Sequence, residues 1–382
     1  MKTISERTRA LHPGVLGSAL RSAWPVVAGV VVALVLQSVL APAVGPFAAK
    51  MVLDIGIAVV LAVSLNIVNG FAGQFSIGHA GFMMVGGYAA AIVTYYGSIK
   101  LWGSPEPHGG FLGSGDLLFL FACALGGCVA ALAGLVVGLP SLRLRGDYLA
   151  IVTLGFGEIM RVLAQRSKDV LYPEDVAGKS MWEVSDNLGG ALGFSGLPSY
   201  VSPTPWNEDT GHAGIFFVYL IVAIVLISAY RLKLSSKGRA LLAVRENEIA
   251  AEAMGINTSR VKVAAFVMAA FFAGVGGALF AHEFGNTLTP RELGFQKSID
   301  IVIMVVLGGM GSISGAVVAA AALTLMPELF REFAEYRMII YALALILVMI
   351  LRPQGLFGIK ELWETTAWRR IRARIVRGKG AP

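Results

Sequence analysis

The sequence predicts an all-α fold, a polytopic bundle of membrane helices interrupted by broken or half-helices. Three observations carry this expectation. Of 382 residues, 56 % are hydrophobic and only 14 % charged, a balance far from that of soluble domains. Apolar stretches near the roughly 20 residues needed to cross a bilayer recur along almost the whole chain. Two of them are interrupted by glycine clusters, GFAGQFSIGHAGFMMVGGYAAA at 70–91 and VLGGMGSISG at 306–315.

Taken in order, spans are expected at 24–44, 48–69, 80–98, 117–139, 148–164, 214–232 and 263–284. A broken segment follows at 298–326, and a last span at 338–351. The first span contains Ala41-Pro42-Ala43, which resembles a signal-peptide cleavage site, but its apolar run is long for a signal segment. Cys123 and Cys128 lie five apart in one apolar stretch and read as small buried hydrophobes on different helix faces.

The charges sit in blocks, and in a membrane protein such blocks set orientation. Residues 1–23 carry a net +3, residues 231–262 a net +4 and residues 352–382 a net +6. Residues 165–213 carry a net −4. The positive-inside rule places both termini, Arg143 and Arg145, and the 231–262 loop in the cytoplasm, and the 165–213 loop outside. The basic excess thus serves topology, and no nucleic-acid partner is expected. The domain plan is a basic cytoplasmic N-terminus (1–23), a transmembrane domain (24–351) and a basic cytoplasmic tail (352–382). In the tail, Trp368, Ile371 and Ile375 among five arginines read as a short helix on the inner leaflet, in contact with lipid.

For the tail to return inside, 298–326 must cross an even number of times or not at all. Its 29 residues are too few for two full spans. Two half-helices meeting at Gly308, Gly309 and Gly311 are therefore expected.

The two glycine segments echo each other. Gly73, Ser76, Ile77 and Ala80 match Gly309, Ser312, Ile313 and Ala316 at a constant offset. Paired glycine-interrupted segments in corresponding parts of two halves point to an internal repeat and a central solute pathway. A broken helix leaves backbone groups unpaired, tolerable only against protein or a water-lined cavity. On this reading Gly73, Gln74, Ser76, His79, Gly309, Gly311 and Ser312 are the substrate-pathway candidates. The competing reading is tight helix packing through small residues such as Gly134 with Gly138 or Gly311 with Gly315. Asp54, Glu158 and Arg161 are ionisable groups within spans and so functional candidates, Glu158 and Arg161 being spaced to pair.

The loop at 233–262 has a different texture. Ser235 or Ser236 can cap a helix, residues 239–254 lack Gly and Pro, and Gly255 is placed to stop it. One soluble-type helix is expected, with Leu242, Ile249 and Ala253 on one face and Arg245, Glu248 and Glu252 as a charged stripe. The chain carries no GxxxxGK[ST] phosphate loop, so nucleotide chemistry would come from another subunit.

RLRGDYLAIVTLGFGEIMRVL (143–163), KGRALLAVRENEIAAEAMGI (237–256), VLGGMGSISG and RPQGLFG (352–358), with GFAGQFSIGHAGF, resemble the membrane permease subunits of bacterial branched-chain amino-acid ABC importers, the M-type in particular. The resemblance implies an inner-membrane, non-enzymatic transport subunit working by alternating access. It implies a homologous permease as heterodimer partner, two cytoplasmic ATPase subunits that use ATP and Mg, and a periplasmic solute-binding protein. No cofactor or metal is expected in this chain. Arg245, Glu246, Glu248, Ala250, Glu252 and Gly255 are similar to the loop that couples such permeases to the ATPase, with acid and glycine spacing displaced by about one position. Urea and short-amide permeases share the family, and a gradient-driven transporter or channel is the reading from another class. Enzyme motifs fail on context: Gly193-Phe194-Ser195-Gly196 sits in a polar loop, and Asn286 stands where a zinc protease needs its second histidine.

Overall fold

A computed structural model describes residues 15–329 except 44, 142–147, 177, 203–213 and 284–286, together with scattered positions between 336 and 362. Residues 1–14, Arg143 and Arg145, Asn286, part of the 165–213 loop, most of the expected 338–351 span and the inner-leaflet tail helix lie outside the described residues.

The first helix, α1 (Val15–Val35), begins before the expected span and runs through a π-helical turn at Leu36–Leu40 into Ala41–Ala43. Then follow α2 (Pro46–Asn66), α3 (His79–Trp102), α4 (Ser114–Ser141), α5 (Tyr148–Gln165) and α6 (Gly214–Leu234). A π-helical turn at Ile67–Phe71 prolongs α2. The short helices α7 (Ser236–Glu246) and α8 (Glu248–Ala253) lead into α9 (Thr258–Ala281). The half-helices α10 (Phe295–Gly308) and α11 (Ile313–Leu329) follow. Among the described residues, Pro46–Phe71, α3, α4, α5, α6 and α9 are long and apolar enough to cross a membrane. The protein is a multi-pass, all-α membrane bundle.

The centre of the bundle is built on glycine. A Cβ on Gly86 of α3 would meet the backbone of Gly274 of α9, and one on Gly126 of α4 would meet Gly86. Backbones can approach this closely only where side chains are absent, which is how membrane helices gain dispersion contact without a hydrophobic drive. Gly134 likewise faces Ala270 of α9. α9 packs against α2, α3 and α4, while α5 lies outside and presents most of its surface away from the core. Cys123 is buried and Cys128 exposed, on the different faces their spacing implies.

The predicted half-helices form as a hairpin. α10 and α11 pack along each other and reverse at 309–312, where Gly309 and Gly311 adopt φ of +105° and +97°. At 1.5 Å per residue they are about 21 and 25 Å long, each short of the roughly 30 Å hydrocarbon core. The break at 67–78 lies at the same end of the bundle as this reversal and α7–α8. At the opposite end, segment 166–202 folds over the helix ends. Phe194 and Leu288 exchange backbone hydrogen bonds of 3.0 and 3.1 Å there, and the Tyr88 hydroxyl donates to the Leu288 carbonyl at 2.8 Å. Ser195 belongs to this segment, His282 bonds Thr94 and Ala278, and Glu283 bonds Lys50.

One expectation is corrected. The 239–254 stretch is not one helix: Asn247, at φ −158° and ψ 108°, ends α7 and caps α8 with its side chain on the Ala250 N–H at 3.0 Å. Asparagine competes with the helix for its own backbone bonds, so a stretch free of Gly and Pro still breaks. Ser235 is the cap of α7, and Gly255, at φ +83°, closes α8 with the paired bonds Gly255 to Glu252 and Ile256 to Ala251.

Candidate functional site

The two glycine breaks, remote in sequence, meet in space. Asn66, at the last turn of α2, accepts from the Gly311 N–H at 2.8 Å and donates to the Ser312 carbonyl at 3.0 Å. One buried amide thus satisfies both polarities of a reversal that would otherwise leave backbone groups unpaired at membrane depth. A Cβ on Gly70 would clash with the Asn66 side chain and with the Gly311 nitrogen, so the junction excludes larger residues there.

The first break is held by side chains from three directions. Asn69 clasps Ser76 through the Ser76 N–H at 3.2 Å and its carbonyl at 3.3 Å. Thr153 of α5 accepts from the Ile77 N–H, and Ser298 of α10 from the Ala80 N–H. His79 is buried and bonds Ser64 Oγ at 2.8 Å. The Ser76 backbone and the His79 ring therefore make their hydrogen bonds inside the protein, stabilising the interrupted segment. Gln74 is half-buried, with its N–H on the Val68 carbonyl. Gly73, at φ +66°, lies against the Arg245 side chain.

The second break is capped by the tail. Ser312 Oγ accepts from the Gly315 N–H at 3.1 Å, and the Glu361 carboxylate accepts from the N–H groups of Ile313 and Ser314 and from Ser314 Oγ. An acid on the first turn of a helix meets both its free donors and its dipole. Burial works against the Glu361 charge, but the bonds from Lys233 and Ser314 hold its carboxyl below the usual carboxylate range. Lys233, in the last turn of α6, bonds Glu361 at 2.5 Å and the Gly311 carbonyl at 2.9 Å. The Leu356 N–H, in the RPQGLFG stretch, donates to the Leu307 carbonyl at 2.8 Å.

Arg245 joins both breaks to α7. Its Nη1 donates to the Gly70 carbonyl at 2.7 Å and, more weakly, to the Met310 carbonyl at 3.4 Å. The expected single stripe of Arg245, Glu248 and Glu252 is thereby corrected: Arg245 turns to the breaks, Glu248 pairs with Lys262 of α9 at 2.6 Å, and Glu252 accepts from Thr258 Oγ1 at 2.7 Å. The helix split at Asn247 changes the phase between the two halves. For the same reason Leu242 is half-buried on α7 while Ile249 and Ala253 are exposed on α8. With Met254, 83 % exposed, Ile249, 68 % exposed, forms an apolar knob flanked by Glu246, Ala250 and Gly255.

Of the intramembrane charges, Glu158 and Arg161 pair at 2.7 Å beside Gly294. Asp54 lies apart from both breaks, on α2, lining a cavity toward the other end of the bundle. Sequence reading passed over Asn66, Asn69, Lys233 and Glu361. The two amides three residues apart in VSLNIVNG are a legible signal, being polar groups inside an otherwise apolar run. Lys233 and Glu361 carried no spacing that linked them.

No solved structure matches the chain. Relatives do. LivM, the high-affinity branched-chain amino acid transport system permease protein of Salmonella typhimurium, is 34 % identical over 323 residues, covering 78 % of this chain and 67 % of its own. LivM of Escherichia coli has the same identity and coverage. LivH, a permease protein of the same kind of system in Salmonella typhimurium, is 25 % identical over 308 residues, covering 79 % of this chain and 91 % of its own. The family model described as branched-chain amino acid transport system, permease component, matches residues 47–351, from the start of α2 to the last described helical positions. By that match, and by the LivM likeness along most of its length, this chain belongs to the branched-chain amino acid transport permease family.

Proposed function

We propose that this chain is the permease subunit of an ATP-driven ABC importer carrying branched-chain, hydrophobic amino acids into the cytoplasm by alternating access. It sits in the bacterial inner membrane with both termini cytoplasmic, as the charge blocks indicate. A homologous permease completes the pathway, two ATPase subunits supply the work, and a periplasmic binding protein delivers the substrate to the 165–213 side.

The observation that carries this reading is the reach of Arg245 from α7 to the Gly70 and Met310 carbonyls. An extramembrane helix pair with an exposed apolar knob thereby touches the two interruptions in the bundle directly. On the proposal, Ile249 and Met254 seat in the ATPase, and ATP-driven closure shifts α8 and α7. Arg245 then withdraws from the breaks, whose carbonyls exchange a protein donor for water, and the inner end of the pathway changes state. The glycine segments act as the inner gate. Only the difference in ATP affinity between the two motor states can drive such a shift.

The test is reconstitution with candidate partner subunits and measurement of ATP-dependent leucine uptake against urea uptake. Leucine uptake that needs ATP is the expected result. Uptake by the purified chain alone, or urea in place of leucine, would overturn the reading.

A further inference from the structure

The seam between α2, α10 and α11 ends at one side in the two breaks and at the other in a cavity of about 590 Å³. That volume is in the range of small-molecule sites. Asp54 lies eight residues into α2, about 12 Å along the helix and roughly 24 Å from Gly70, and the lining runs from there to Leu61, about 10 Å nearer the breaks.

Its lining has two chemistries. Leu61, Ile301 and Leu323 give an apolar wall, and Asp54, Lys297 and Asp300 place charges on it. Lys297 feels both carboxylates electrostatically and sits over the Phe280 ring at 5.2 Å. The neighbouring Lys50 is already matched by Glu283 at 2.5 Å. Asp54 hydrogen-bonds Glu283 beside that pair, and Asp300 takes a weak 3.5 Å bond from Gln296; among the described residues Lys297 and Asp300 are closed into no ion pair. A lysine and an aspartate held at membrane depth outside any ion pair are costly, and their usual reason is a solute.

We infer that this cavity is the reception subsite for one zwitterionic aliphatic α-amino acid. Asp300, with Asp54 beside it, takes its ammonium, Lys297 its carboxylate, and the wall of Leu61, Ile301 and Leu323 its side chain. A zwitterion brings a cation to the carboxylate side of the lining and an anion to Lys297 without adding net charge. Urea, which is uncharged, would leave Lys297 and Asp300 unmatched, so the subsite itself selects amino acids over amides. The inference rests on the proposed permease function and adds the residues that receive the substrate.

The test uses the reconstituted importer with its partner subunits. In the unaltered complex leucine uptake per ATP hydrolysed is measured, then repeated for Lys297→Gln and Asp300→Asn, with exposed Glu106→Gln as control. A fall of tenfold or more in leucine moved per ATP is expected for the first two and none for the control. A second measurement does not depend on turnover. Thr324→Cys, placed in the lining of a Cys128→Ser chain, is labelled with a thiol reagent, and leucine but not urea is expected to slow labelling several-fold. That protection is lost in Lys297→Gln. Normal leucine uptake with unchanged stoichiometry in both charge variants, or labelling indifferent to leucine, overturns the subsite and leaves the permease reading standing. Failure of the unaltered complex to move leucine overturns both.

Discussion

Replacing Arg245 with alanine removes the contact that ties α7 to both helix breaks. The bond to the Gly70 carbonyl is short at 2.7 Å and has a charged donor, whereas the 3.4 Å contact to Met310 adds little. Hydrogen bonds to charged groups contribute about 1.5–3 kcal/mol. Arg245 is half-buried and partly screened, which puts it at the low end, about 1.5 kcal/mol. Since roughly 1.4 kcal/mol is a factor of ten, the junction opens about tenfold more often without ATP. The assay is thiol labelling of Gln74→Cys in a Cys128→Ser chain, held in nanodiscs with its partner subunits and no nucleotide. Arg245→Ala is expected to raise the labelling rate about tenfold while the complex stays assembled, and Arg245→Lys, which keeps the charge but not the fork, is expected to fall between. An unchanged labelling rate, or loss of the ATPase from the complex, would refute the assignment of Arg245 to the gate.

Three further outcomes follow from the same geometry. Asn66→Leu leaves the buried Gly311 N–H and Ser312 carbonyl without their partner; at about 1–3 kcal/mol each the loss is roughly 2–6 kcal/mol, read as a lower denaturant or thermal midpoint in detergent. Ile249→Glu with Met254→Glu alters only exposed positions, so the midpoint should stay within about 0.5 kcal/mol of the parent while ATPase binding weakens more than tenfold in pull-down titrations. Glu361 is held below the ordinary carboxylate range, so its cap on α11 is fully present above the unfolded value near pH 4.3 and weakens as pH falls through the lower folded value. Limited proteolysis of the tail against pH should show that acid-side release, and Glu361→Gln should flatten the profile.

Much of the fold was legible because the bilayer permits few answers. Length and hydrophobicity mark the spans, and 29 residues between Ser298 and Met326 are too few to cross twice. A hairpin at Gly308, Gly309 and Gly311 follows from that count, and the Gly255 stop from its left-handed backbone. The split at Asn247 was harder to see, since an asparagine inside a helical pattern is compatible with either outcome until its side chain finds a backbone donor.

Partnership was the part hidden in the chain. Nothing in a one-dimensional pattern links Asn66 to Gly311, Arg245 to Gly70 or Lys233 to Glu361, because each pair is separated by more than a hundred residues. Periodicity reports which face of a helix is apolar, and it showed that polar groups at the breaks needed partners. Which partners they found depends on how whole helices pack, and packing turned Arg245 inward and left Ile249 and Met254 outside. The seam that holds Asp54, Lys297 and Asp300 together exists for the same reason: α2 and the α10–α11 hairpin are assembled around a common line that no local stretch of sequence contains.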